Sequence, residues 1–309
     1  MNAASKNGFL LLDKKPGLTS FQSLAEVKKT FATGKVGHTG TLDKFASGLL
    51  LVLVGKGVKL VPLFADCVKK YTATLFFGAE TDTLDPEGEV VAEGEIPSQK
   101  EVEAALDSFR GEILQSPPAY SAVHINGRRA HELAREGRAP EMKKRPVTIH
   151  ELELLSWNPP LAEMSFSVSA GTYIRSLARD IALAAGSRAH LSALRRTGIG
   201  PFRLEDTSAW DDKPAIAGTG TAGAIRPLDN RLFEALSFPC FFLDDAAAKG
   251  FKQGKPLSGL LPEYLLSEIY AAKSSFSAGV FRKNSPDELL GLIEKRCGKW
   301  TYAHVFADN

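Results

Sequence analysis

Residues 37–43 read GHTGTLD, and residues 44–48 (KFASG) lead from them into an unbroken apolar run at 49–54, LLLVLV. Two glycines and two threonines in so short a stretch make a tight, irregular loop, and it presents His38 and Asp43 beside a buried element. Loops anchored on a rigid scaffold are where catalytic groups tend to sit. A carboxylate here is ionised at neutral pH unless it is buried without a partner. It can then act as a nucleophile or as a general base. An aspartate that caps a turn has the same local pattern, and these residues alone leave both readings open.

Several other chemistries lack their residues. There is no G-x-x-x-x-G-K-[ST] phosphate loop, no G-x-S-x-G elbow and no H-E-x-x-H pair. Cys67, Cys240 and Cys297 stand far apart with no C-x-x-C spacing, which fits free thiols in a reducing compartment. The six histidines, at 38, 124, 131, 150, 190 and 304, show no zinc-ligand spacing, so a metal-free mechanism is the simpler expectation.

The elements that must position the loop are legible from periodicity. The run at 49–54 reads as a buried strand. In residues 68–77, Tyr71, Ala73, Leu75 and Phe77 alternate with Thr72 and Thr74, the pattern of a strand with one buried face. Residues 163–169 alternate likewise, with Met164, Phe166 and Val168 inward. Residues 98–110 read as a helix: Ser98 and Glu101 have the capping-box spacing, and Val102, Ala105, Leu106 and Phe109 form one stripe. A second helix spans 173–185, with Ile174, Leu177, Ala178 and Ile181 on one face and Gly186 as its stop. Strands of this kind mixed with helices predict an α/β domain with a largely antiparallel sheet. Residues 211–224 read as a linker or loop, and 240–243, 278–281 and 301–306 as strands of a small barrel. A chain of 309 residues exceeds the size at which single cores stop growing, roughly 250–300 residues, so two domains are expected.

Net charge is only +2, but it is unevenly placed. Residues 1–70 carry 11 Lys against 4 Asp and Glu, residues 80–112 carry 2 basic against 11 acidic groups, and residues 120–150 carry 7 basic against 3 acidic. Residues 173–203 add 6 Arg against 1 Asp. This asymmetry can build a basic face for phosphates; a set of solvated faces without a partner is the alternative. The apolar stretch at 9–12 is too short for a signal-peptide core, and 49–54 is far below the roughly 20 residues that span a bilayer. The cytoplasm is the expected location, with no membrane partner.

At GHTGTLD followed by GLL, the sequence resembles the TruB family of tRNA pseudouridine synthases. Further strings occur in the family's order: FLLLDKKPGLTS at 9–20, KYTATL at 70–75, TDTLDPEG at 81–88, SPPAYSAVHINGRRAHELAREGR at 116–138, GTYIRSLARDI at 171–181 and LRRTGIGPF at 194–202. The resemblance implies the pseudouridine synthase fold over residues 1–230, with a mixed, mainly antiparallel sheet. A PUA-like RNA-binding β-barrel would follow over 235–309. It implies isomerisation of one uridine in the T loop of tRNA, position 55, to pseudouridine after base flipping, without a cofactor or metal. The bacterial type implies a monomer that acts on the T arm of tRNA with no guide RNA or obligate protein partner.

The same resemblance assigns roles residue by residue. Asp43 is the essential carboxylate; whether it attacks C1′ or C6, or removes the C2′ proton, stays open. Arg175 pairs with Asp43 and holds it ionised, and Asp85 ties Arg175. Tyr71 stacks on the flipped uracil, Tyr173 and Leu194 line its pocket, and His38 fills the place the base has left. Arg128, Arg129, Arg135, Arg138, Lys143, Lys144 and Arg145, within a segment at about 120–150, grip phosphates. The chain departs from the family pattern at Lys44, where Pro is common, at His124, where Lys is common, and at His131, where Tyr is usual. Two other functions remain to be separated: a noncatalytic RNA-binding or tRNA-folding protein, and a guide-dependent synthase of the archaeal or eukaryotic kind.

Overall fold

The computed structural model describes residues 7–121, 123–125, 127–136, 142–207, 215–216, 221–222, 225–261, 275–296 and 299–306. The chain opens with β1 (Gly8–Lys14), α1 (Ala25–Thr30), β2 (Val36–His38), β3 (Ser47–Val54) and β4 (Lys69–Phe77). A small hairpin, β5 (Ala79–Thr81) and β6 (Val90–Glu93), leads to α2 (Gln99–Leu106) and β7 (Gly111–Gln115). Short β8 (His124–Ile125), β9 (Arg128–Arg129) and α3 (Ala130–Arg135) precede the long hairpin β10 (Arg145–Asn158) and β11 (Leu161–Val168). Then come α4 (Ile174–Ala184), β12 (Ala189–Ile199) and β13 (Phe202–Arg203).

One large sheet runs in the order β1-β3-β12-β4-β11-β10-β7, with β2 also paired to β3 and β13 to β12. Every pairing in it is antiparallel except β12 with β3, which is parallel at Arg195–Ser47 and Arg196–Gly48. This is the mixed, mainly antiparallel sheet that the family resemblance implies, and it is largely antiparallel as the strand patterns predict. The absence of alternation in 49–54 has a direct cause: β3 is covered on both faces. Leu49, Leu51 and Leu53 pack with Phe9, Leu11, Leu60 and Phe64, while Leu50, Val52 and Val54 pack with Leu10, Leu12, Leu24 and Val27. Truncating one such leucine to alanine is expected to cost about 2–5 kcal/mol. Gly48, at φ +102°, begins the strand where a side chain has no room, because a Cβ there would lie 2.3 Å from the Arg196 carbonyl oxygen.

The first predicted helix is shorter than its stripe. Its capping box forms as expected, with Ser98 accepting from the Glu101 amide, but α2 ends at Leu106 and tightens into a 3-10 turn at Asp107–Phe109. α4 follows its pattern closely: Ile174, Leu177, Ala178 and Ile181 are buried against the sheet. Within the predicted linker 211–224, Ala215–Ile216 pairs with Thr221–Ala222; the rest of that stretch lies outside the described residues.

Toward the C-terminus, α5 (Asn230–Ala235), β14 (Cys240–Leu243), α6 (Asp245–Lys252), β15 (Ser275–Arg282), β16 (Ser285–Arg296) and β17 (Lys299–Val305) form a second unit. Among the described residues its strands pair in the order β14-β15-β16-β17. The three predicted strands are all present, and the longest one, β16, is an addition. Phe233, Phe281, Leu292 and Phe306 of this unit share a cluster with Phe9, Leu11, Leu51 and Leu53 of the large sheet. No helix among the described residues is long and apolar enough to cross a membrane.

Candidate active site

The loop carrying Asp43 is fixed from below by polar groups that apolar patterning does not reveal. Lys14, at the end of β1 and only 2 % exposed, points its ammonium at four backbone carbonyls: Leu18 at 2.6 Å, Ala46 at 2.7 Å, Lys15 at 3.1 Å and Lys44 at 3.4 Å. The Ser20 hydroxyl accepts from the Leu42 amide at 2.8 Å and donates to the Leu42 carbonyl at 3.0 Å. The Gly17 amide donates to the Lys44 carbonyl at 2.8 Å. From the other side, buried Arg196 on β12 donates to the Gly40 and Leu49 carbonyls at 3.1 and 2.7 Å. Buried polar atoms need partners of this kind, so the loop is held to one shape on both flanks of Asp43.

Arg175 stands in the first turn of α4, where a cation opposes the helix dipole. Two carboxylates and two carbonyls compensate it. Its Nη2 donates to Asp43 Oδ1 at 3.2 Å and to the Tyr120 carbonyl at 3.0 Å. Its Nη1 donates to the Thr83 carbonyl at 2.7 Å and to Asp85 Oδ2 at 3.3 Å. Nε lies 3.0 Å from Asp43 Oδ2 as a charge contact, off the axis of an aligned hydrogen bond. Arg175 and Asp85 side chains are 6 % and 7 % exposed, whereas Asp43 is 39 % exposed. The row therefore has a buried end, at Asp85, and an open end, at Asp43.

Asp85 is itself held by a strained turn. Leu84 adopts φ +62°, and the turn is closed by Thr83 Oγ1 donating to Asp85 Oδ1 at 2.7 Å and Thr81 Oγ1 donating to the Asp85 carbonyl at 2.8 Å. The Leu191 amide of β12 also donates to the Leu84 carbonyl at 3.1 Å. A bulky residue with positive φ persists only where its surroundings over-determine it.

The pKa of Asp43 moves opposite to the simplest expectation. The recess around the carboxylate pushes it above the usual carboxylate value, and Asp85 adds to that, while Arg175 and Lys14 pull it down without cancelling the burial. Arg175 thus orients Asp43 and moderates the shift.

Several of the expected site residues share one buried cluster with the residues flanking Asp43 and Arg175. Leu42, Ala46, Ile174 and Leu194 belong to one buried cluster, with Phe45 and Tyr71 packed against it. Leu194 on β12 pairs with Ala73 of β4, two residues from Tyr71. Tyr173 immediately precedes α4, two residues before Arg175. His38 ends β2 opposite Val52 of β3, and its Nδ1 accepts from the Gly40 amide at 3.4 Å. Burial first, and then the Arg196 charge, lower its pKa, so its ring is neutral at physiological pH.

The basic segment is less uniform than its sequence. Lys143 and Lys144 are exposed, whereas Arg128 is paired with Glu136 at 2.5 Å, and Arg129 precedes α3 with its amide donating to Glu132 at 3.3 Å. Arg135 and His131 lie in α3, their side chains outside the description, and Arg138 lies outside the described residues. Arg145 is placed differently from the lysines beside it: its guanidinium bonds the Gly171 carbonyl and lies over the Tyr173 ring. Of the departures, Lys44 forms an ion pair with Glu87 at 3.2 Å, and His124 is exposed on β8. Sequence reasoning missed Lys14, Ser20, Gln115 and Arg196 as supports of the site. Lys14 and Arg196 carried one signal, a cation next to apolar strand residues that should leave it no solvent.

Residues 28–174 match the model of the TruB family pseudouridylate synthase, N-terminal domain. The chain is 50 % identical over 210 residues to tRNA pseudouridine synthase B of Borreliella burgdorferi, covering 67 % of this chain and 74 % of that protein. It is 42 % identical over 266 residues to the protein of that name from Novosphingobium aromaticivorans (82 % and 86 %) and 39 % identical over 288 residues to that from Burkholderia mallei (93 % and 92 %). Among solved structures, it resembles a Cbf5-Nop10-Gar1 complex at 25 % identity and TM-score 0.67, covering 98 % of this chain and 84 % of that one. The archaeal box H/ACA sRNP Nop10-Cbf5 complex is similar in fold, at 23 % identity and TM-score 0.63, over 94 % and 79 %.

Proposed function

The chain belongs to the TruB family of pseudouridylate synthases, and we propose that it isomerises the T-loop uridine of tRNA, position 55, with Asp43 as the catalytic carboxylate. The chain is an isomerase that converts uridine to pseudouridine in tRNA. The reaction breaks the N1–C1′ bond, turns the uracil and joins C5 to C1′. Nothing is oxidised or reduced, so no redox cofactor enters. In this reading the chain works as a monomer in the cytoplasm, on the T arm, without a guide RNA, a metal or an obligate partner. Residues 1–230 form the catalytic domain and 235–309 a PUA-like RNA-binding domain.

The observation that carries the reading is the graded Asp43–Arg175–Asp85 row. A buried arginine bound at its inner end to Asp85 and to carbonyls leaves one open carboxylate facing outward. An ionised Asp43 can attack C1′ or C6, or take the C2′ proton, and all three need it held and aimed. The target base is stacked in the T loop and must be flipped out, which costs roughly a few kcal/mol that pocket contacts offset. In this reading Tyr71 stacks its ring on the flipped uracil and accepts the C5 proton late in the reaction. Tyr173 and Leu194 line the rest. Neutral His38 stacks in the vacated position, as uncharged aromatic planes do on unstacked RNA. Arg128, Arg129, Arg135, Lys143 and Lys144 hold phosphates. Because burial raises Asp43, the acid limb of kcat/KM lies above the ordinary aspartate value of 3.8.

The test is incubation of the purified protein with an unmodified tRNA transcript, followed by chemical mapping of pseudouridine. Conversion of the T-loop uridine by the wild type, with D43A and D43N inert yet binding, supports the reading. Binding without conversion by the wild type overturns it in favour of a tRNA-folding role. Conversion that appears only when a guide RNA is added overturns the stand-alone part.

A further inference from the structure

One cross-strand pair grips the entrance of α4 from both sides. Arg145, the first residue of β10, lies opposite Gln115, the last residue of β7. Gln115 is fully buried, and its amide group holds the Tyr173 backbone twice: Oε1 accepts from the Tyr173 amide at 2.8 Å and Nε2 donates to the Tyr173 carbonyl at 3.1 Å. Arg145 takes the ring and the preceding turn. Its Nη2 donates to the Gly171 carbonyl, and its guanidinium carbon lies 4.9 Å from the centre of the Tyr173 ring. Gly171 sits at φ +82°, so the turn that offers this carbonyl is a left-handed one that favours glycine. Tyr173 is thus fixed at its backbone by one member of the pair and at its ring by the other, two residues before Arg175.

We infer that Arg145 is a positioning residue for the uridine pocket, setting the Tyr173 ring and the start of α4 rather than anchoring an RNA phosphate. The inference rests on the reading of the pocket given under Proposed function. The guanidinium is suited to this double task because it is planar: it stacks on a ring through its face while donating through its edge. An ammonium on a flexible stem keeps the charge but cannot do both in one geometry. Arg145 also follows Lys143 and Lys144 directly. RNA seated on those exposed lysines therefore pulls on the strand end that carries the clamp, which connects the grip to the pocket wall through one residue.

Arg145→Lys and Arg145→Gln separate the two roles when single-turnover rate, tRNA Kd and the salt dependence of Kd are measured together. A positioning role predicts that both variants lose about tenfold or more in single-turnover rate, since small misplacements near a reacting base are costly. Kd should stay within about twofold and the salt slope should be unchanged, because no phosphate contact is lost. Arg145→Lys should not rescue. A phosphate role predicts the reverse: weaker Kd, a salt slope shallower by about 0.7–0.9, an unchanged bound rate, and rescue by lysine; that pattern overturns the inference. If Arg145→Gln folds poorly, Arg145→Lys, which keeps stem and charge, carries the same comparison. A wild type that converts nothing overturns the functional reading instead, and the salt slopes alone then decide Arg145: unchanged supports positioning, reduced overturns it.

Discussion

The Asp43 loop and the basic segment at about 120–150 are both polar in sequence, yet their described residues are built in opposite ways. Around Asp43, Lys14, Ser20, Arg196 and Arg175 each satisfy several backbone or carboxylate atoms, and Lys14, Ser20, Arg175 and Arg196 are all buried. In the basic segment the described charges other than Arg145 face solvent: Lys143 and Lys144 are exposed, and Arg128 and Glu136 are 46 % and 44 % exposed in their ion pair. The difference fits the roles proposed for the two regions. A reacting carboxylate gains from groups already in place before the substrate arrives. A phosphate grip gains from long side chains that adapt to a curved backbone, and exposed ion pairs hold them only weakly.

The sharpest way to break this comparison is at Arg175. Arg175→Ala should lower kcat by about 10²–10³ while leaving tRNA binding unchanged, as for loss of one preorganised charged donor. It should also destabilise the fold by about 3–5 kcal/mol, because buried Asp85 loses its partner. Arg175 lowers the pKa of Asp43, so its removal should move the acid limb of the residual activity to higher pH. Activity within tenfold of wild type would mean that Asp43 needs no such support.

Lys14 comes next. Burial lowers its pKa to about 8, against the opposing pull of Asp43. Its folded value lies below the unfolded one, so the folded protein releases this proton first, and the group's contribution to stability rises with pH from about 8 toward 10.5. The loop clamp, however, needs the ammonium, so kcat should fall through an alkaline limb near pH 8. Lys14→Met should lose roughly tenfold in kcat, consistent with a displaced reacting group, and should lack that limb. A pH profile identical in wild type and variant would remove Lys14 from the site.

Much of this architecture was legible because it follows from apolar spacing. The doubly covered strand at 49–54, the half-buried strand bearing Tyr71, the Ser98 cap and the Ile174–Ile181 stripe each have one physical reading. The Asp43, Arg175 and Asp85 positions came from the family's motifs, since a lone aspartate in a glycine-threonine loop is locally indistinguishable from a turn cap. What escaped was polar support that acts across the fold. Nothing near Gln115 in sequence says that its amide will meet Tyr173, and nothing near Lys14 says that four carbonyls converge there. β16 escaped for a different reason: Leu289, Leu290, Leu292 and Ile293 are spaced as well for a helix stripe as for a strand, and pairing on both sides decides the outcome. Arg145 shows the limit of reading by charge, since a basic run at 143–145 divides in three dimensions into two exposed lysines and one arginine turned onto the Tyr173 ring.

In the basic segment the expected effects are smaller and of another type. Lys143→Gln and Lys144→Gln should each weaken tRNA binding by about two- to fivefold, flatten the salt slope by about 0.7–0.9 and leave the bound rate unchanged. A fall in the bound rate with constant affinity would place these lysines with the site and erase the contrast between the regions.

The smallest effect expected is also the most discriminating, because it should be a gain. Glu136 accepts both Arg128 nitrogens, Nη2 at 2.5 Å and Nη1 at 3.2 Å, and so competes with any phosphate for that guanidinium. If Arg128 turns to RNA in the complex, the pair must open first, and Glu136→Gln removes the competitor along with a negative charge that repels the backbone. Binding should then tighten by about twofold, since exposed pairs are weak, and the salt slope should steepen. If Arg128 instead serves only to close the β9–α3 turn, the same substitution should leave affinity unchanged and lower the melting temperature slightly. The two signs cannot be confused with a general loss of fold, so the pair tests whether this region holds its charges in reserve for RNA or spends them on itself.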